Sequence, residues 1–188
     1  MKILDLAARS SPPRNLVASW LGRPTVKRTQ RGIFTTVGGG SSQTVTGFSA
    51  VDPLNTLIYV VALGGQAAVD SSGHPWAARL FLSSDGTTLS LDSTTNLIVS
   101  WEAREYVPGI WRSIQRGTIT ANATSVNATL GTRVDTNRAM LNSMGVSGFT
   151  GTDDTHVPYL TLTDGVTITA VTNTGGAAVI GWQIADPF

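Results

Sequence analysis

The residues able to do chemistry are few. The 188-residue chain holds two histidines, His74 and His156, two glutamates, Glu102 and Glu105, and no cysteine. A Ser-His-Asp triad needs a histidine beside a placed nucleophile. The chain has no G-x-S-x-G, no Walker-type loop and no G-x-G-x-x-G opening a helix. Gly38-Gly39-Gly40-Ser41 lies between strand-like segments with no helix after it, so it reads as a hairpin tip. The histidines stand in corresponding loops, each near a proline, with Asp70 close to one and Asp153-Asp154 close to the other. A zinc-type site wants three or four converging ligands. The expected role of both imidazoles is therefore to anchor loops by hydrogen bonds, and Asp153-Asp154 is only a weak calcium pattern. Glu102 and Glu105 fall on opposite faces of one strand, poor geometry for a shared carboxylate site. No catalytic residue, cofactor or metal is expected.

What must hold these residues is a chain built for strands. Hydrophobic residues make up 41% and charged residues 13%, against about 25% charged in ordinary soluble proteins. Thr, Ser, Val, Gly and Asn take the difference, which favours pleated surfaces and tight turns. The net charge is +1, with no basic run or basic–aromatic stripe of the kind that binds nucleic acid. No apolar run reaches the roughly 18 residues of a membrane helix. MKILDLAARSSPP, interrupted by Asp5, makes a poor signal peptide.

The chain repeats itself. TQRGIFTT (Thr29 to Thr36) returns as IQRGTITA (Ile114 to Ala121), aligning Gln30, Arg31 and Gly32 with Gln115, Arg116 and Gly117. Val51-Asp52 is matched by Val134-Asp135. LFLSSDGTTLSL (Leu80 to Leu91) is matched by YLTLTDGVTITA (Tyr159 to Ala170), each an Asp-Gly turn between alternating strands, a hairpin signal in which both turn residues tolerate positive φ. LIVSWEAREY (Leu97 to Tyr106) is matched by AVIGWQIADP (Ala178 to Pro187), so Trp101 aligns with Trp182. Four landmarks in one order, roughly eighty residues apart, point to a duplicated unit.

The expected fold is all-β, with two tandem antiparallel β-sandwich or flattened-barrel modules behind an extended N-terminal arm. Residues 1–26 form the arm, 27–106 the first module, 107–111 a short linker and 112–188 the second module. Leu97, Val99, Trp101 and Ala103 share a core-facing side, as do Ala178, Ile180, Trp182 and Ile184. Gly32 and Gly117 mark a bulge or a close backbone approach. Arg31 with Asp52, and Arg116 with Asp135, are expected to form an ion pair in each module that locks the first strand. In the arm, Leu16, Val17, Trp20 and Leu21 have helix-like spacing. They suit a docking segment that orders on a neighbour, or a segment that packs back on the first module. A module of about eighty residues without disulfide or metal is small for an independent core, which points to help from neighbouring subunits.

S-I-Q-R-G-T-I-T (Ser113 to Thr120), then Val134-Asp135, then a last strand with Trp182 to Ile184, with a looser copy upstream, resembles the small β-rich virion structural proteins of tailed bacteriophages. That resemblance implies a non-enzymatic component of the virion, in tail, head–tail region, fibre attachment or capsid decoration. Its partners would be other virion proteins and copies of itself, with neither nucleic acid nor membrane. The alternative is a carbohydrate- or receptor-binding module at a fibre tip, for which Trp76, Trp111 and Tyr159 would be the sugar platforms.

Overall fold

Alternating apolar residues and closely spaced turns do produce strands over most of the described residues. A computed structural model describes residues 25–36, 42–65, 78–93, 96–150, 158–172 and 177–188. The first half contributes β1 (Val26–Thr35), β2 (Ser42–Thr44), β3 (Thr56–Gly65), β4 (Ala78–Leu82), β5 (Leu89–Ser93) and β6 (Leu97–Tyr106). The second contributes β7 (Trp111–Ala121), β8 (Ser125–Thr129), β9 (Met140–Thr150), β10 (Tyr159–Asp164), β11 (Thr167–Val171) and β12 (Ala177–Pro187). A single 3-10 turn, Pro53–Asn55, is the one helical piece among the described residues.

The fold is an all-β antiparallel sandwich. In the first half the sheet β1-β6-β3 covers the strands β2-β5-β4; in the second, β7-β12-β9 covers β8-β11-β10. Adding six to each label of the first arrangement yields the second. Registers repeat as well: Gly32 stands opposite Trp101 on β6, and Gly117 opposite Trp182 on β12. β3 carries a bulge at Val61, and β9 carries the same irregularity at Met144.

Each half has its own apolar centre, because both sheets of a half turn one face inward. Leu80, Leu89 and Leu91 meet Ile58, Val99 and Trp101 in the first. Ile119, Ile168, Ile180, Trp182 and Ile184 form the second. Two findings go beyond the repeat. The strands β2-β5-β4 and β9-β12-β7 join edge to edge through the Arg79–Gly145 bridge into one six-stranded sheet. Met144, from the second half, is buried in the first half's centre. The stretch 107–111 is no free spacer either: Trp111 already belongs to β7 and packs edge-on against Tyr106 at 5.1 Å.

The hairpin alignment needs a one-residue correction. Leu80 pairs with Leu91 and Leu82 with Leu89, whereas Leu160 pairs with Ala170 and Leu162 with Ile168. Leu80 thus corresponds to Leu160 rather than to Tyr159, because the second turn is one residue shorter. The turns also differ from the expected conformation: Gly86 has φ +72, but no non-glycine residue has positive φ among the described residues.

Candidate assembly interface

The duplicated residues bind one another. Gln30 clamps the backbone of Ser49, donating to its carbonyl at 2.8 Å and accepting from its N–H at 2.7 Å. Gln115 does the same at Thr132, at 2.7 and 2.9 Å. Two residues further on, the Val51 N–H donates to Gly86 O at 2.9 Å and the Val134 N–H to Gly165 O at 2.9 Å. So the Val-Asp and Asp-Gly landmarks meet in both halves. Asp85 and Asp164 brace these turns by accepting from the backbone of Thr87 at 3.0 Å and Val166 at 2.7 Å. Hydrogen bonds from Ser83 and Thr87 push the Asp85 carboxyl down to about 2. Gly32 and Gly117 are required by the indoles lying on them. A Cβ would sit 2.8 Å from Trp101 in one half and 2.6 Å from Trp182 in the other.

The expected Arg–Asp pairs do not form. Arg31 pairs with Glu102, its direct neighbour across the β1–β6 ladder, and Glu102 also takes Arg104. Asp52 instead caps the 3-10 turn, accepting from the Leu54 N–H at 2.9 Å and Asn55 Nδ2 at 2.8 Å. Asp135 accepts from the Asn137 N–H at 3.0 Å and pairs with Arg138 at 2.8 Å. Both aspartates serve the local chain, since a carboxylate beside free backbone N–H groups finds donors there first.

The glutamates do occupy opposite faces. Glu105 is buried at the end of the first half's centre, 2.6 Å from Lys27 and 2.8 Å from Arg28, beside an open cleft of about 520 Å³ lined by the same three residues with Ala50, Val51 and Asp52. Burial alone would raise its carboxyl, but hydrogen bonds and charge from Lys27 and Arg28 hold it below the ordinary value. Glu102 behaves likewise, with burial outweighed by Arg31 and Arg104. Both acids are ionised partners of cations.

The unequal positions of the repeat form the joint between the halves. Among the described residues β3 ends its sheet, so the backbone groups on one side of it have no strand partner. The second half covers part of that edge with side chains. Gln183, 1% exposed, accepts from the Ile58 N–H at 3.0 Å and donates to the Ile58 carbonyl, so one amide supplies the two bonds a neighbouring strand would make. Arg116 donates to Pro53 O at 2.8 Å and to Thr56 O. Burial pushes its guanidinium down to about 10, still charged at neutral pH. Leu57, Ile114 and Ala185 close the joint, flanked by Tyr59, Tyr106 and Trp111.

Gln183 and Arg116 occupy the cross-strand positions that Glu102 and Arg31 occupy in the first half. With Gln in place of Glu, the arginine has no carboxylate beside it and reaches the β3 edge instead. Gln183 and Met144 were not picked out by sequence reasoning. The signal for Gln183 was its exchange with Glu102 at an otherwise matched position; Met144 carried none. Trp111, a suggested sugar platform, is part of the joint, whereas Tyr159 is 56% exposed. Leu16, Val17, Trp20 and Leu21 of the arm, Trp76, His74, His156, Asp70, Asp153 and Asp154 lie outside the described residues. Among those described, no three His, Asp or Glu side chains come together as a metal site would require.

Comparison with protein-family models, with curated proteins and with solved structures finds no match to this chain.

Proposed function

We propose that this chain is a non-enzymatic structural component of a bacteriophage virion, held in place by contacts with copies of itself and with other virion proteins. The observation that carries the reading is the joint: a strand edge of one half is seated on the sheet face of the other and finished by the buried amide of Gln183. Such an edge-to-face joint is a means of adding one β-unit to the next. The use of the repeat's Gln, Asp and Arg residues on backbone and neighbouring charges supports the same reading, as does the resemblance in Ser113 to Thr120 and Trp182 to Ile184. The test is quantitative mass spectrometry of purified particles from cells that produce the chain. A fixed number of copies per particle is expected. Recovery of the chain only in the particle-free fraction would overturn the proposal.

A further inference from the structure

We infer that the chain associates with further copies of itself head to tail, by pairing β10 of one molecule with β3 of the next, the counterpart of the β4–β9 contact that joins its two halves. The inference deepens the structural reading above and rests on it for the kind of partner.

Several residues buried at the internal joint have counterparts that lie exposed. Met144, at the β9 bulge, is 2% exposed and sits in the first half's centre; Val61, at the matching β3 bulge, is 62% exposed. Leu57 is 3% exposed under Ile114 and Ala185; its counterpart Met140 is 53% exposed. Arg79 of β4 bridges to Gly145; its counterpart on β10 is Tyr159, 56% exposed. Three apolar side chains therefore stand in water at positions the joint would cover.

The strand edges agree. β4 lies between β5 and β9, whereas its counterpart β10 ends its sheet among the described residues, and β3 ends another. If β10 of one copy lies along β3 of the next as β4 lies along β9, the sheets β8-β11-β10 and β3-β6-β1 become one six-stranded sheet. That sheet would match the one already present in each chain. The facing stretches Val61 to Gly65 and Tyr159 to Thr163 contain no Lys, Arg, Asp or Glu, and Asp164 at the end of β10 is engaged by its own turn. The new joint would copy the edge pairing of β4 with β9 and not its closing contacts, because Glu102, Arg31 and Arg104 stand at the positions of Gln183, Arg116 and Ala185 and are occupied with one another. Gly145 has φ +100 and lets Ala78 O approach to where a Cβ would stand, while its counterpart Ala62 has a side chain and no positive φ. Because the two surfaces are different, the contact is heterologous and leads to rings or open chains.

The test is the full-length protein and two single variants, Val61→Glu and Tyr159→Glu, studied by sedimentation velocity over a concentration series. Wild type should form species beyond a dimer, and each variant alone should associate at least tenfold more weakly. Mixed, the two variants should give a heterodimer and nothing larger, since each keeps one intact surface. The chain has no cysteine, so chains carrying Ala62→Cys and Tyr159→Cys supply a second measurement: mixed and oxidised, they should cross-link to each other faster than either does to itself. A strictly monomeric wild type, or assemblies unaffected by both Glu variants, would overturn the inference. A chain present in particles that never self-associates would sink this inference alone, and self-association by a chain absent from particles would sink only the proposed function.

Discussion

At the residue scale, the repeated letters are explained by contacts too close or too particular to accept other side chains. Gly117 has an indole where any larger residue would place its Cβ. Gly117→Ala should therefore cost about 1–3 kcal/mol through overpacking, read as a lower urea midpoint with an unchanged slope; an unaltered midpoint would mean that Trp182 can move aside. The buried glutamates set the acid behaviour. Their folded carboxyls lie below the ordinary value of 4.5, so their contribution is complete above that pH and is lost as pH falls through the depressed values. Unfolding free energy should decline from pH 5 to pH 3, and Glu105→Gln should flatten that decline. A pH dependence identical in variant and wild type would remove Glu105 from the account.

At the element scale, β6 and β12 show how one strand design serves two surroundings. On β6 the outward face carries Glu102 and Arg104, paired near solvent. On β12 the equivalent face is covered, so Gln183 and Ala185 are buried along with the inward residues. A neutral amide suits that place because it both donates and accepts, which an ionised carboxylate cannot. Gln183→Glu should leave the Ile58 carbonyl with only the long 3.5 Å bond from Asn142 Nδ2 and cost about 1–3 kcal/mol at neutral pH. Mild acid should recover part of the loss, because a protonated carboxyl donates again. Hydrogen exchange at the Ile58 amide reports on the same edge and should quicken in this variant. Period-two alternation placed Trp101 and Trp182 on inward faces from sequence, but it could not tell a Glu102 buried under its own half's arginines from a Gln183 covered by the other half. Alternation reports two faces and not what lies against each.

At the scale of the whole molecule, the halves exchange parts. Met144 fills the first half's centre from the second half, and the six-stranded sheet runs through both. Met144→Ala should cost about 2–5 kcal/mol and lower the unfolding midpoint reported by the surroundings of Trp101, although the substitution lies in the other half. Fluorescence of single-tryptophan variants that keep Trp101 or Trp182 should show one shared transition. Two separated transitions, with only the Trp182 report shifted, would mean independent halves. The Arg–Asp pairing expected from the repeat failed at this scale as well. Repetition of Arg31 and Asp52 as Arg116 and Asp135 says that the positions are equivalent, not that they touch, and the residue across the ladder from Arg31 was the acid that does not recur.

The amino-acid sequence alone determined the all-strand character, the order of the repeated landmarks, the inward tryptophans and the opposite placement of Glu102 and Glu105. Those follow from local periodicity and turn chemistry, which act over a few residues. Only the tertiary structure decided that the landmarks clasp one another, that Glu102 and not Asp52 takes Arg31, and that Gln183, Arg116 and Met144 join the halves. These contacts span many tens of residues, and their energy depends on what desolvates each group, which no stretch of chain carries within itself.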